Sequence, residues 1–464
     1  MILKIFQGNC TMKRMSLRPE WPMLFFVCLC FFPLNPSAAD TPSLTIYDAM
    51  QLADKQNPRI KAALSQATAA DHRITQAESG FLPQVFFTET YSNTNNPMWA
   101  FGNRLNQQTI AQTDFDPDRL NHPDSISNFN SALSMEWSVY QGGQTRIGVN
   151  QAKLDREAQD FFLTRTRQEV IATAATAYAG MVLAYHHLDV IQKSLETARV
   201  HLEMIRKRYE NGLAVKSDLL RTQVHIAELD QDRIQAESRI SMALSALNAA
   251  MGVPGYSTWQ LATGLVKGEP VLGPIDEWID LAQSHRPDMQ YLQLQEKIAE
   301  DEIQKSRAAH LPNINLIGTY ELNSPDFRNS GDSYTVGAMM RVNLYSGDRM
   351  SAKTRESEAM LSRIRAMRND MAAGIEVQAR QAFLQAQSAW NRISVAEAAV
   401  SQSEEGLRIV RDRYENGLLT LVSLLDAEVA LQSAQTNRYR SLHDYLAARI
   451  QLALAAGTLD TNFQ

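Results

Sequence analysis

A duplication constrains this chain more than any other feature. Arg208-Tyr209-Glu210-Asn211-Gly212-Leu213 recurs unchanged as Arg413-Tyr414-Glu415-Asn416-Gly417-Leu418, 205 residues later. The same offset carries Tyr140 and Gly142 onto Tyr345 and Gly347, Leu202 onto Leu407, Val224 onto Val429, and Gly252 onto Gly457. Further upstream the offset is 229, matching Pro58 to Pro287 and Leu82-Pro83 to Leu311-Pro312. The difference of 24 residues is an insertion in the first copy, within a loop at 93–127. The chain thus divides into a first repeat (40–252), a Gly/Pro linker (253–274) and a second repeat (275–464). Repeated units of this kind bury their apolar faces against one another.

Both repeats read in the same order. Asn57-Pro58 and Arg286-Pro287 place proline at the first helical position, opening helices that run to about Ser79 and Ala308. Leu-Pro then begins an extended stretch. From 128 to 139 the residues alternate. Phe129, Leu133, Met135, Trp137 and Val139 share one face, and Asn128, Asn130, Ser134, Glu136 and Ser138 the other. The corresponding apolar face in the second copy is Tyr334, Ala338, Met340, Val342 and Leu344. Val85, Phe87 and Tyr91 of the preceding strand map onto Ile314, Leu316 and Tyr320. Each repeat therefore holds a β-hairpin.

Proline then vanishes, with none between Pro123 and Pro254 and none after Pro325. An interior proline costs a helix about 3 kcal/mol, so such gaps suit long helices. Residues 145–208 predict one helix of about 96 Å at 1.5 Å per residue. Asn211-Gly212 supplies the left-handed stop, and Ser217-Asp218 a hydroxyl cap and acidic first turn for the next helix. Helices over 58–80 and 218–250, laid end to end, would reach about 84 Å and run beside the long one.

Four amphipathic strands cannot close a barrel, since the smallest membrane barrels need about eight strands of about 9–11 residues. Two chains would supply eight strands and three would supply twelve, so a barrel would have to be shared between chains. Such strands more often form a half-buried sheet, but helices too long for a compact domain favour a wall between lipid and water. The uncharged run Val170–Leu188 has the length of a membrane helix. Its counterpart carries Glu376, Arg380 and Arg392, so a duplicated element would span lipid in one copy only, and that reading is rejected.

At the N-terminus, Lys4, Lys13, Arg14 and Arg18 precede an apolar core from Met23 to Phe32, then Ser37-Ala38-Ala39. This is a secretory signal with cleavage after Ala39; a start at Met12 or Met15 would give it ordinary proportions. Cys10, Cys28 and Cys30, the chain's three cysteines, all lie inside it. Disulfides, thiolate metal sites and catalytic thiols are therefore not expected after cleavage. The formal charge of −6 and the lack of a basic stripe give no reason to expect a nucleic-acid partner.

In the order Asn57-Pro58, Leu82-Pro83, Tyr140-x-Gly142 and Arg208-Tyr209-x-x-Gly212, with the copies Leu311-Pro312, Tyr345-x-Gly347 and Arg413-Tyr414-x-x-Gly417, the chain resembles the outer membrane factor family, the TolC-like export channels. The resemblance covers nearly all of the chain after the signal. It implies a mainly α protein with a membrane β-barrel: duplicated long helical hairpins forming an α-barrel in the periplasm, plus four strands per chain in a trimeric twelve-stranded barrel. It implies a homotrimer set in outer-membrane lipid, a passive exit channel that meets an inner-membrane transporter through a periplasmic adaptor, in efflux or type I secretion. It also places the pore's closed tip and the adaptor contact at the turns carrying Tyr209, Asn211, Gly212, Asp218, Tyr414, Asn416, Gly417 and Asp426. Tyr414 and Asp218 match gate-holding residues of the family. This chain departs at Leu419, where the family pattern has an arginine, and at Ser423, where it has an acidic residue. Plain capping of a helical hairpin is the alternative role for these turns.

Other signals are weaker. Asp114-x-Asp116-x-Asp118 lacks the glycine and glutamate of a calcium loop, having Arg119 and Ser125 there, and reads as a polar surface loop. His186-His187 has no paired ligand spacing, and Met339-Met340 reads as strand surface. No triad or phosphate loop is present, so neither enzyme activity nor a cofactor is expected. The competing class is a periplasmic coiled-coil scaffold or adaptor without a pore, for which the strands' outer face should be polar.

Overall fold

The structure, a computed structural model, describes residues 42–461. The proposed signal segment lies outside them. The chain begins with β1 (Ser43–Leu44), α1 (Ile46–Gln56), α2 (Pro58–Glu78) and β2 (Gln84–Thr94). The insertion follows, holding α3 (Pro97–Asn106) and α4 (Pro117–Asn121), then β3 (Ile126–Gln141). Next come α5 (Gln144–Glu210), α6 (Lys216–Met251) and β4 (Gln260–Leu261). The second copy holds α7 (Ile275–His285), α8 (Pro287–Ala308), β5 (Asn313–Ser324), β6 (Gly331–Arg341), α9 (Arg349–Glu415) and α10 (Leu421–Ala456). The chain is mainly helical.

The repeat is kept to the residue in the helices. α5 and α9 have 67 residues each, and α6 and α10 have 36 each. At 1.5 Å per residue the long helices reach about 100 Å. No described helix is long and apolar enough to cross a membrane. α1 and α7 are short helices that proline and strand signals did not reveal. They pack beside α5 and α9 through Ala49, Met50, Ala53, Ile279 and Ala282.

α6 and α2 stack end to end. Gly252, at φ +73°, closes α6, and a Cβ there would sit 2.7 Å from the Cα of Asn57. Asn57 caps α2 by accepting from the Arg59 amide and donates through its own amide to the Ala250 carbonyl at 2.8 Å. Gly457 abuts Arg286 in the same way where α10 meets α8. Gln168 and Arg165 of α5 brace that second joint, donating to the carbonyls of Gly457 and Leu454.

One local expectation is corrected. α6 begins at Lys216 behind Val215, with no side-chain cap, so Ser217 is not its cap. In the second copy Thr420 does cap α10, accepting from the Ser423 amide. Valine has no oxygen to offer where the duplicate has threonine.

Beside the core, a two-stranded parallel β1–β4 pair lies over α5. Tyr178 holds it there, donating to the Leu44 and Thr263 carbonyls and accepting from the Thr263 amide.

Candidate functional site: an inside-out sheet and a helical tip

The strands form one antiparallel sheet in the order β2-β3-β5-β6, so the two hairpins join across the repeats through β3 and β5. The strands hold 11, 16, 12 and 11 residues. Register aligns Phe87, Leu133, Tyr320 and Tyr334 in one row and Val85, Met135, Gly318 and Val336 in the next. The apolar side chains of both rows are solvent-exposed. With the Leu316–Ala338 and Ile314–Met340 rows they make an apolar band about 20 Å tall, at ~3.4 Å per residue. Tyr91, Phe129 and Phe327 cluster above it, with ring centroids 4.8 and 4.1 Å apart. In the Leu316 row of the band, Trp137 donates to the Phe81 carbonyl.

The opposite face is mostly polar, with Phe86, Ile317 and Met339 as its exposed apolar members, and is knitted together. Asn128 and Asn130 both donate to the Asn323 side chain at 2.8 and 3.0 Å, and Ser138 donates to Asn315 at 2.7 Å. A water-soluble sheet buries its apolar face; this one leaves that face exposed. Val342 and Leu344, expected on the apolar face, lie beyond the end of β6.

The insertion packs across the far end of this sheet. Gln107 donates to the Ser127 carbonyl and the Asn128 side chain. Asp114 is not a surface aspartate: it is buried, pairs with Arg104 at 3.2 Å and accepts from the Ala111 amide. That pairing accounts for Asp114, and Asp116 caps α4 by accepting from the Asp118 amide. No group of three or more metal-ligating side chains occurs among the described residues.

At the other end of the long helices lie two turns. Gly212 (φ +72°) and Gly417 (φ +75°) adopt the left-handed conformation that ends α5 and α9. The amides of Gly212 and Leu213 return to the Tyr209 and Arg208 carbonyls, and those of Gly417 and Leu418 to Tyr414 and Arg413. Both turns are thus full Schellman caps. Asn211 and Asn416 add side-chain donations to the Lys207 and Asp412 carbonyls, each 2.8 Å. Capping therefore accounts for Asn211, Gly212, Asn416 and Gly417.

The two tyrosines, identical in local sequence, part company in space. Tyr414 is 8% exposed and Tyr209 39%. Tyr414 packs with Ile205, Leu407, Leu421 and Leu424, with Leu219 against the cluster. The Arg208 guanidinium lies 5.4 Å from its ring centre and also donates to the Glu415 carbonyl. Burial pushes the Tyr414 phenol up; Arg208 opposes that shift and the Asp218 carboxylate adds to it. Tyr414, Asp218 and Arg208 thus share one electrostatic environment. Asp426 is exposed on α10 and Tyr209 lies outside this cluster.

Arg208 was missed in the sequence because its partner belongs to the other copy. So was the close approach of His201 Nδ1 and Glu428 Oε1, 2.8 Å apart and nearly buried. Nothing local marks either pair.

The comparisons with known proteins agree with this architecture. The family model described as outer membrane efflux protein matches residues 49–253 and 278–458, once per repeat. The alkaline protease secretion protein AprF of Pseudomonas aeruginosa is 25% identical over 434 residues, covering 91% of this chain and 86% of its own. The outer membrane protein TolC of Vibrio cholerae is 23% identical, covering 88% and 89%. Among solved structures, the CmeC outer membrane channel of Campylobacter jejuni superposes with a TM-score of 0.77 at 15% identity, covering 90% of this chain and 87% of that one. The outer membrane protein VceC of Vibrio cholerae gives 0.72 at 18%, covering 89% and 96%. With both repeats matched by the family model and the fold shared end to end, this chain belongs to the outer membrane efflux protein family.

Proposed function

We propose that three copies of this chain close a twelve-stranded barrel in the outer membrane, continued by a helical barrel in the periplasm. As a family member the chain is an outer-membrane exit channel for efflux or secretion, with a helical periplasmic part. The observation that carries the closed assembly is the inside-out sheet. Its outer band is apolar, its inner face is polar, and β2 and β6 each leave an unpaired edge. Lipid must cover the band, and the open edges must pair with other copies, because unpaired backbone is not tolerated in hydrocarbon. A periplasmic scaffold without a pore would carry a polar outer face there.

On this reading residues 1–39 direct export and are removed, and residues 40–252 and 275–464 are two pseudo-equivalent walls joined through 253–274. The tip turns meet a periplasmic adaptor, which links the channel to an inner-membrane transporter. Cargo choice rests with that transporter; relatives named for protease secretion and for efflux alike match about nine-tenths of this chain. The purified protein should run as a heat-modifiable trimer and conduct in a planar bilayer. A monomer with no conductance would refute the reading.

Tyr414, held by Arg208 beside Asp218, is read as part of the closed tip. Tyr414→Ala should loosen this packing by about 3 kcal/mol, the usual cost of truncating a buried aromatic ring. The resting conductance of the reconstituted channel should rise. Tyr209→Ala, at the more exposed duplicate, should change it much less. Equal resting conductance in wild type and Tyr414→Ala would remove the tip from the gating role.

A further inference from the structure

The two repeats differ in charge at one matched pair of positions. In the second repeat Arg392 of α9 pairs with Asp444 of α10, Nη1 to Oδ2 at 3.4 Å. Moved back by the offset of 205, these positions are His187 of α5 and Arg239 of α6. There the Arg239 Nη1 lies 3.4 Å from the His187 Nε2. Two bases meet in the first copy where a base and an acid meet in the second.

A guanidinium can only donate, so Arg239 faces an unprotonated Nε2. Burial, and then the Arg239 charge, hold the His187 imidazole below its usual pKa, against an opposing pull from Asp232. The positive charge of Arg239 is left unanswered, since it forms no ion pair with a carboxylate among the described residues. Arg440 of α10 forms none either. Acids close by in the sequence are already engaged, Asp189 by Lys193 and Glu237 by Arg233.

Arg239 and Arg440 both line a pocket of about 330 Å³ between α5, α6 and α10. That volume is near the lower end for small-molecule sites. Leu183 of α5 and Ala243 of α6 give it apolar walls, and Tyr439 of α10 lines the third side, stacked on His186 at 4.0 Å. Arg438, 5.6 Å from the Tyr439 ring centre, adds to the local positive charge. A chain of net charge −6 is thus basic around this one apolar pocket.

We propose that the pocket binds a small amphiphilic carboxylate. The ligand's carboxylate takes the place that Asp444 fills in the second copy, accepting from Arg239 and Arg440. Its apolar body lies against Leu183, Ala243 and Tyr439. The matched groove on α9 and α10 has Arg392 and Asp444 in its own lining and needs no such ligand. One site per chain follows, and its occupant ties α5 and α6 of the first repeat to α10 of the second.

Titration calorimetry with 2-naphthoate, on the full chain purified from outer membranes in neutral detergent, tests this. Saturable binding at one site per chain is expected. The uncharged 2-naphthylmethanol should show only the uptake seen with empty micelles. Arg239→Asp reproduces the charge arrangement of the second copy and should abolish binding. Arg440→Gln should weaken it about tenfold, the loss expected when one charge-assisted hydrogen bond goes. Arg392→Gln, at the matched position of the second copy, should leave it unchanged. Arg239 and Arg440 are both exposed, so their substitution should preserve packing, and an unchanged native mass checks this. Absence of saturable naphthoate binding, or equal binding by wild type and both arginine variants, overturns the site. Equal uptake of naphthoate and the alcohol shows an apolar surface only and overturns it as well. The site lies within one chain, so a single-chain native mass with naphthoate bound would count against the ring alone.

Discussion

Gly252→Ala should lower the thermal unfolding midpoint of the purified channel far more than Gly212→Ala, although both replace a glycine that ends a long helix. At Gly252 the new Cβ faces the strain of φ +73° and lies 2.7 Å from the Cα of Asn57 and 3.0 Å from its nitrogen. Backbone cannot rotate away as a side-chain tip can, so the α6–α2 joint must open. Left-handed strain alone costs about 1–2 kcal/mol. Displacing the joint brings the total to about 3 kcal/mol or more, in the range of severe single substitutions. At Gly212 the φ is +72° but nothing lies within 4 Å, so only the strain remains. Gly457→Ala should follow Gly252→Ala, and Gly417→Ala should follow Gly212→Ala. Equal losses across all four variants would show that end-to-end stacking contributes nothing.

Leu133→Arg should remove the protein from the outer-membrane fraction, while Ser134→Arg, one residue on, should still assemble. Leu133 lies mid-sheet between Phe87 and Tyr320 in the exposed apolar band. Arginine near the bilayer midplane costs about 2–4 kcal/mol, and a ring of three copies incurs it three times. Ser134 lies on the opposite, polar face beside Phe86 and Thr319. A guanidinium there would meet water and should alter conductance and ion preference instead. Normal membrane yield of Leu133→Arg would mean that lipid does not cover this face.

The fold class was legible because its causes are local or repeated. Proline gaps permit α5 and α9, and Asn-Gly pairs end them; alternation at 128–139 marks β3, and the offsets transfer each element to the second copy. The short helices α1 and α7 escaped because neither proline gaps nor alternation marks them. The start of α6 was misjudged by taking Ser217 for a cap, when the chain had already turned helical behind Val215. In the insertion, spacing gave no reason to expect Asp114 to be a calcium ligand but could not reveal Arg104 against it.

The sequence by itself determined that this is a duplicated chain of long helices and amphipathic strands, since helix stops, strand alternation and repeat offset depend on neighbours along the chain. Only the tertiary structure decided that Gly252 and Gly457 must be glycine for space while Gly212 and Gly417 must be glycine for φ alone. It alone showed that β3 pairs with β5 across the repeats and that Tyr414 is buried under Arg208 where Tyr209 is exposed. Residues with the same neighbours in sequence have the same local preferences. They differ here because the first repeat packs against the second, while the second presents its matching face to solvent.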